Sequence, residues 1–128
     1  MKESKIYLLQ GNLFYSQVFK QNLHHLGYSD ITIFQNASEM LEHSKTPPDL
    51  IIYDFDVDCF EGEKIVKLLT TTFNKARLLF SCYPSETHHI YNYIQAGAAD
   101  CFIKDQHEMK SVADMLKNYC AKTSTKQC

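Results

Sequence analysis

The sequence lacks three features that would assign it to a class directly: paired cysteines, a surplus of basic residues and a long hydrophobic run. Its five cysteines include no Cys-X-X-Cys motif and their number is odd, so we expect neither a metal cluster nor a disulfide framework. The formal net charge at pH 7 is -2, and no run of lysine and arginine is present. This charge pattern predicts no nucleic-acid partner and no anionic membrane surface.

The hydrophobic residues indicate a single globular domain. The apolar stretch nearest the start, Ile6–Leu9, is too short for a signal peptide or a membrane span, so we expect a cytoplasmic protein. A length of 128 residues suits one domain, and 45% hydrophobic with 22% charged residues is typical of a soluble protein. We predict a domain over residues 1–121 and a polar tail over residues 122–128.

Short apolar runs alternate with segments of helical periodicity along the chain. This alternation predicts βαβ units with right-handed crossovers, and therefore a parallel sheet covered on both faces. At this size we expect a flavodoxin-like (βα)5 doubly wound fold with strand order 2-1-3-4-5. The five predicted strands are Lys5–Leu9, Ile31–Phe34, Leu50–Tyr53, Ala76–Phe80 and Cys101–Ile103.

Capping residues and apolar spacing define the helices between these strands. Asn12, Asn36, Ser85 and Asp105 are predicted to cap four helix starts, with capping boxes at Asn36–Glu39 and Asp105–Glu108, while Gly27 and Gly97 end two helices. The apolar positions expected along these helices, in chain order, are Phe14, Val18, Leu23 and Leu26; Ile65, Leu68 and Leu69; Ile90, Tyr91 and Ile94; and Val112, Met115, Leu116 and Tyr119.

Asp54 stands at the end of the most continuous buried run, Leu50–Tyr53. A carboxylate at the carboxyl end of a parallel strand, near the point where strand order reverses, is well placed for chemistry. The alternative is an aspartate that only caps the following loop. In the predicted topology, however, Gln10 and Gly11, Ser81 and Lys104 follow neighbouring strands to the same edge. A carboxylate, a hydroxyl and an ammonium together suit phosphoryl transfer.

The chain resembles a receiver domain of bacterial two-component response regulators from about Lys5 to Tyr119. The resemblance is carried by Pro48–Asp54 with Gly62 beyond it, by Ser81, and by Ala96–Asp100 followed by Lys104. It implies that Asp54 is the phosphoacceptor. It also implies that Ser81 and Lys104 bind the phosphoryl group.

The expected metal site departs from the family pattern. The family holds Mg²⁺ with an acidic pair after the first strand, and Gln10 and Gly11 stand there instead. Mg²⁺ prefers hard oxygen ligands, so the remaining ligands would be Asp54, the backbone carbonyl of Asp56 and the amide oxygen of Gln10. We therefore expect a possible but weakened Mg²⁺ site. Asp56 and Asp58 are either substitute ligands or, as we favour, solvated loop acids.

The switch elements depart as well. Cys101 stands in place of the family's aromatic switch residue. Asp105 stands in place of the family's cis-proline after the lysine, so the Lys104–Asp105 peptide bond could be trans. Phe102 should face the opposite side of the sheet from Cys101. Tyr91, Tyr93 and Phe102 are candidate anchors on or near a partner face, the alternative being that at least one, Phe102 first, is core.

Two functions follow from the resemblance. Our prediction is a phosphorelay receiver, phosphorylated on Asp54 by a histidine kinase or phosphotransfer protein, slowly or not at all at ordinary Mg²⁺. It would act on a downstream protein, with homodimerisation possible, through the face of the fourth helix, fifth strand and fifth helix. The alternative is a degenerate receiver that binds partners independently of phosphate. No enzymatic activity is expected. A flavin-binding or enzymatic domain would need a Gly- or Ser/Thr-rich loop that Gln10–Leu13 does not provide.

Overall fold

The computed structural model of the chain describes residues 3–43, 45–55 and 59–120, apart from the side chains of His43, Cys59 and Phe60. The predicted boundary at residue 121 and the predicted tail lie outside these residues. The elements, in chain order, are β1 Ile6–Gln10, α1 Leu13–His25, β2 Ile31–Phe34, α2 Ala37–His43, β3 Leu50–Asp54, α3 Cys59–Thr72, β4 Arg77–Cys82, a 3-10 helix Pro84–His89, α4 Ile90–Ala96, β5 Asp100–Ile103 and α5 Glu108–Tyr119.

The five strands form one parallel sheet in the order β2-β1-β3-β4-β5, which confirms the predicted topology. Strand order reverses between β1 and β3, so the crevice expected in such a fold opens above this pair. The register of β1 and β3 places Gln10 directly beside Asp54. The first and third strands therefore deliver two polar residues to one point of the carboxyl edge.

Each face of the sheet carries its own hydrophobic core, because successive side chains of a strand point to opposite faces. One core contains Tyr7 and Leu9 with residues of α2, α3 and α4, and the other contains Ile6 and Leu8 with residues of α1 and α5. Cys101 belongs to the first core and Phe102 to the second, as the alternation predicted. Among the described residues, no helix is both long and apolar enough to cross a membrane.

Helix α1 begins and ends as predicted, but it buries a different face. Asn12 Oδ1 accepts a hydrogen bond from Tyr15 N at 2.8 Å, and Gly27 follows the helix with a φ of 101°. The buried residues of α1 are Ser16, Phe19 and Leu23. Of the four apolar positions expected along α1, Phe14 is 80% exposed and Val18 is also exposed, so these two lie at the surface. Ser16, Phe19 and Leu23 recur at helical spacing, so they form the stripe of α1 that faces the sheet.

The helix after β4 starts differently from the prediction. Ser85 lies inside the 3-10 helix, whose N-cap is Tyr83 and which has no side-chain cap. In α4 the buried residue is Tyr93, whereas Tyr91 is 70% exposed and Ile94 is also exposed. The predicted Ser85 cap was therefore wrong, because a 3-10 helix precedes α4, and of the side chains of α4 it is Tyr93 that is buried in the core. Gly97 ends α4, as predicted.

Helix α3 also buries another stripe than expected. Val66 and Leu69 are buried, Ile65 packs at the edge of the core, and Leu68 is 47% exposed. The prediction that Ile65, Leu68 and Leu69 share one face was therefore wrong for Leu68. Gly62, one turn before Val66, lets Tyr93 of α4 lie against the helix, since a Cβ there would be 2.7 Å from Tyr93 Cε1.

Of the two predicted capping boxes, the first forms at its Asn36 side, while Glu39 Oε1 accepts from Gln35 N, one residue before the cap, at 3.0 Å. Asn36 Oδ1 accepts from Glu39 N at 2.8 Å at the start of α2. Asp105 instead forms a turn, accepting from His107 N through its carboxylate, and the N-cap of α5 is His107 without a side-chain hydrogen bond. The Asp105–Glu108 capping box was wrong because Glu108 turns inward. No cis peptide bond occurs in the described ranges, so Lys104–Asp105 is trans.

Candidate functional site

Asp54 lies at the base of the crevice with its side chain fully buried. Gln10 Nε2 donates to Asp54 Oδ2 at 2.6 Å, and Lys104 Nζ donates to Asp54 Oδ1. Each carboxylate oxygen thus has its own donor, one neutral and one charged. Burying an ionised carboxylate is costly unless it is paired and hydrogen-bonded, and this arrangement meets both conditions.

The orientation of the Gln10 amide is set by a backbone group. Asn12 N donates to Gln10 Oε1 at 2.9 Å, and a backbone N–H can only donate. The NH2 end of the amide must therefore face β3, where it also lies 3.3 Å from the carbonyl oxygen of Asp54. Gln10 is a donor toward Asp54 and presents no free oxygen there.

Lys104 leaves the sheet directly above Asp54. Its backbone N–H donates to Cys82 O at 2.9 Å, which extends the β4–β5 ladder by one residue and fixes where the side chain starts. The ammonium is also 4.0 Å from Glu108 Oε2 and 5.7 Å from the ring centroid of Tyr15. Lys104 thus lies between two carboxylates and an aromatic ring.

Glu108 and Tyr15 complete this network. Tyr15 Oη donates to Glu108 Oε2 at 2.8 Å, joining α1 to the first residue of α5. Burial raises the pKa of the Glu108 carboxyl; the Tyr15 hydrogen bond lowers it, Asp54 raises it, Lys104 lowers it and Asp105 raises it. Burial and the same hydrogen bond raise the pKa of the Tyr15 phenol. No local sequence pattern indicates this pair, since the two residues are 93 positions apart.

Ser81 reaches the same edge but is already engaged. It is buried at the end of β4, and its hydroxyl donates to Phe55 O at 3.2 Å. The structure thus brings Asp54, Lys104 and Ser81 to neighbouring strand ends, as predicted. The roles in phosphoryl binding stay predictions.

A cleft of about 450 Å³ opens above Asp54. Its walls include three aromatic side chains, Tyr15, Phe55 and Tyr83, none of which was predicted to line the site. The cleft is lined by Gln10, Gly11, Asn12, Tyr15, Asp54, Phe55, Tyr83 and Lys104.

The described donor set does not suit Mg²⁺. Both Asp54 oxygens accept from N–H groups, Gln10 turns its oxygen to Asn12, and Gly11 has no side chain. In the described part of the chain, no group of three or more His, Cys, Asp or Glu side chains could hold a metal ion. Asp56 and Asp58, the other predicted contributors, lie outside the described residues. The amide oxygen of Gln10 accepts from Asn12 N and turns away from Asp54, which argues against Gln10 as a metal ligand in this arrangement; the weakened Mg²⁺ site stays a prediction.

The predicted switch and partner residues divide between core and surface. Cys101 is buried, and burial, with Cys82 and Asp100 nearby, raises the pKa of its thiol to about 12. Tyr93 is 2% exposed, with its ring 4.7 Å from that of Phe80, and Phe102 is fully buried. Tyr93 is therefore not a surface anchor, and Phe102 is core, as the favoured alternative for this residue predicted. Tyr91 is exposed, and its role in binding stays a prediction.

Comparison with known proteins places the fold. No family model matches the chain, and no curated protein matches it. Among solved structures it is similar to the signal receiver domain of a signal transduction histidine kinase from Syntrophus aciditrophicus (TM-score 0.73, 20% identity, 91% of this chain and 89% of that one). It is also similar to the chemotaxis response regulator CheY4 of Vibrio cholerae (0.74, 16%, 92% and 99%) and to a response regulator from Thermotoga maritima (0.74, 17%, 92% and 98%). The chain therefore has the receiver-domain fold.

Proposed function

We propose that this chain is a signalling module on a receiver fold that binds protein partners without Mg²⁺-dependent phosphorylation of Asp54. The observation that carries the proposal is the 2.6 Å hydrogen bond from Gln10 Nε2 to Asp54 Oδ2. A divalent cation at this carboxylate would meet a hydrogen-bond donor instead of an oxygen ligand. The chain is thus a binding module rather than an enzyme.

The physical reason is electrostatic. In phosphoryl transfer a metal ion neutralises charge that develops between the attacking and transferred groups. The amide of Gln10 donates a hydrogen bond to the carboxylate but is neutral. It therefore does not supply the two positive charges with which Mg²⁺ would attract an incoming phosphoryl donor. Lys104 alone remains, and the ion pair with Asp54 already uses it.

A second candidate function is a receiver that a histidine kinase or phosphotransfer protein phosphorylates on Asp54, acting on a downstream partner through the face of α4, β5 and α5. Asp54, Lys104 and Ser81 at neighbouring strand ends favour it, as do the signalling proteins that share the fold. Either function belongs in the cytoplasm, where such signalling partners occur, and neither needs nucleic acid or a membrane. Homodimerisation through the same face would serve either one.

The two candidates are separated by adding Mg²⁺ and a small phosphodonor such as acetyl phosphate to the isotopically labelled chain. We expect no shift of the Gln10, Gly11 or Asp54 amide resonances up to tens of millimolar Mg²⁺. We also expect no gain of one phosphoryl group in the intact mass. Saturable shifts and a Mg²⁺-dependent mass gain lost in Asp54→Ala would establish the second candidate.

The matched positive control restores the carboxylates, as Gln10→Asp alone and as Gln10→Asp with Gly11→Asp. A Cβ at Gly11 would meet Phe55 Cε1 at 3.0 Å, so the double variant needs a small shift of the Phe55 ring at the cleft wall, whereas the single variant needs none. They should bind Mg²⁺, because one or two carboxylates suffice for this ion in many sites. Failure of both variants to bind Mg²⁺ would mean that Gln10 is not what prevents binding.

A further inference from the structure

Lys104 lies between two buried carboxylates, of which it contacts one. We propose that Glu108 is a second binding position for the Lys104 ammonium, to which the lysine transfers when the negative charge of Asp54 is neutralised. The transfer would couple the loss of negative charge at Asp54 to a new ion pair at the first residue of α5.

The distances make this transfer short. Lys104 Nζ donates to Asp54 Oδ1 and is 4.0 Å from Glu108 Oε2, just beyond hydrogen-bond distance. A charge-assisted N–H···O contact is about 2.8 Å long, so a movement of little more than an ångström suffices. The flexible four-carbon stem of lysine allows it without a change of backbone.

Glu108 is held in position to receive the lysine. Tyr15 Oη donates to Glu108 Oε2 at 2.8 Å and so keeps this oxygen turned toward the cleft. Glu108 is also the first residue of α5, where the helix dipole favours a negative charge. The charged and titratable groups around it are Tyr15 from α1, Asp54 from β3, and Lys104 and Asp105 from the segment after β5.

The energetics favour the first position as long as Asp54 is ionised. The Asp54 side chain is fully buried, whereas that of Glu108 is 10% exposed, so an unpaired Asp54 costs more than an unpaired Glu108. Once Asp54 is neutral, Glu108 is the carboxylate within reach. The lysine then follows the remaining charge.

The movement of Lys104 would act in place of the family's aromatic switch residue, whose position Cys101 occupies in this chain. Cys101 is buried in the core on the α3 and α4 face, while Glu108 and Tyr15 join α5 to α1 on the other face. Movement of Lys104 would therefore change the α1–α5 contact. The inference rests on the proposed function in one respect, namely that Lys104 and Gln10, rather than a metal ion, are the partners of the Asp54 carboxylate.

The test is a structure of the Asp54→Asn variant, which keeps the shape of residue 54 and removes its charge. We expect Lys104 Nζ within about 3 Å of Glu108 Oε2. In solution, the titration midpoint of the Glu108 carboxyl carbon should fall by at least about one pH unit, because a like charge is lost and an opposite charge approaches. Asp54→Ala, which removes the carboxylate entirely, should give the same two results and is available if the first variant folds poorly.

The matched control is Asp54→Asn with Glu108→Gln, in which Lys104 has no second carboxylate and should turn to solvent. A Lys104 that stays at residue 54 in Asp54→Asn, or a Glu108 midpoint that does not fall, would overturn the inference. The Mg²⁺ titration of the unmodified chain tests the proposed function separately. Mg²⁺ binding there would refute the proposed function, whereas the position of Lys104 in the metal-free variants is measured independently of it.

Discussion

Gln10 and Asp54 are register partners at the ends of β1 and β3, and the side-chain amide of the first donates to the carboxylate of the second at 2.6 Å. Asn12 N fixes the amide from the other side. The carboxylate therefore has a neutral donor at Oδ2 and the Lys104 ammonium at Oδ1. Because Asp54 is buried and Lys104 is partly exposed, the stability of the fold should depend more on Lys104 than on Asp54.

Lys104→Met should destabilise the chain much more than Asp54→Asn. Removing Lys104 leaves the ionised, fully buried Asp54 with only Gln10, and breaking a buried pair in this way costs about 3–5 kcal/mol. Asp54→Asn leaves a partly exposed lysine near Glu108, for which we expect a loss of about 1 kcal/mol. Urea unfolding of both variants measures the difference.

The double variant Lys104→Met with Asp54→Asn is the control for this pair. Its loss should be smaller than the sum of the single losses by at least about 1 kcal/mol, because residues in direct contact couple by that order. Equal losses in the two single variants would contradict the asymmetry.

The sequence was sufficient for the fold because each strand is a separate apolar run and each crossover has its own helix. The convergence of Asp54, Ser81 and Lys104 followed from topology alone. Helix faces were less predictable, since α1 has two apolar stripes, and the one that is buried includes the polar Ser16. The contact between Tyr15 and Glu108 could not be predicted, because no local sequence pattern relates residues of α1 to residues of α5.

Glu108→Gln should remove a pH dependence of stability. The pKa of Glu108 is raised in the folded chain, so the native state holds this proton more tightly than the unfolded state. The native chain therefore loses stability as pH rises from the unfolded value near 4.5 through the raised folded pKa. Relative to Glu108→Gln, the unmodified chain should lose free energy of unfolding across this window, as urea titrations at several pH values can measure. A difference that stays constant or grows more favourable with pH would contradict the prediction.

Gly62→Ala should destabilise the chain although the position is helical. In an open helix this substitution stabilises by about 1 kcal/mol. Here a Cβ would lie 2.7 Å from Tyr93 Cε1, and the Tyr93 ring is backed by Phe80 at a centroid distance of 4.7 Å. Overpacking of this kind costs about 1–3 kcal/mol, so thermal unfolding should show a lower midpoint.

The control for Gly62 is Gly62→Ala in a Tyr93→Leu background, in which the ring is absent. The alanine should be neutral or stabilising there. A stabilising effect in the presence of Tyr93 would mean that the ring can move aside.

Tyr91 and Tyr93 form a matched pair two residues apart on α4 that separates binding from stability. Tyr91 is 70% exposed, so Tyr91→Ala should change the free energy of unfolding by no more than about 0.5 kcal/mol. Tyr93 is buried against Phe80, so Tyr93→Ala should cost about 3–5 kcal/mol, as truncation of a large core aromatic does. Urea unfolding measures both.

If α4 contacts a partner, Tyr91→Ala should weaken that complex at unchanged stability, because exposed aromatic side chains are frequent anchors at interfaces. Equal losses of stability in the two variants would mean that Tyr91 packs into the fold and is not available to a partner.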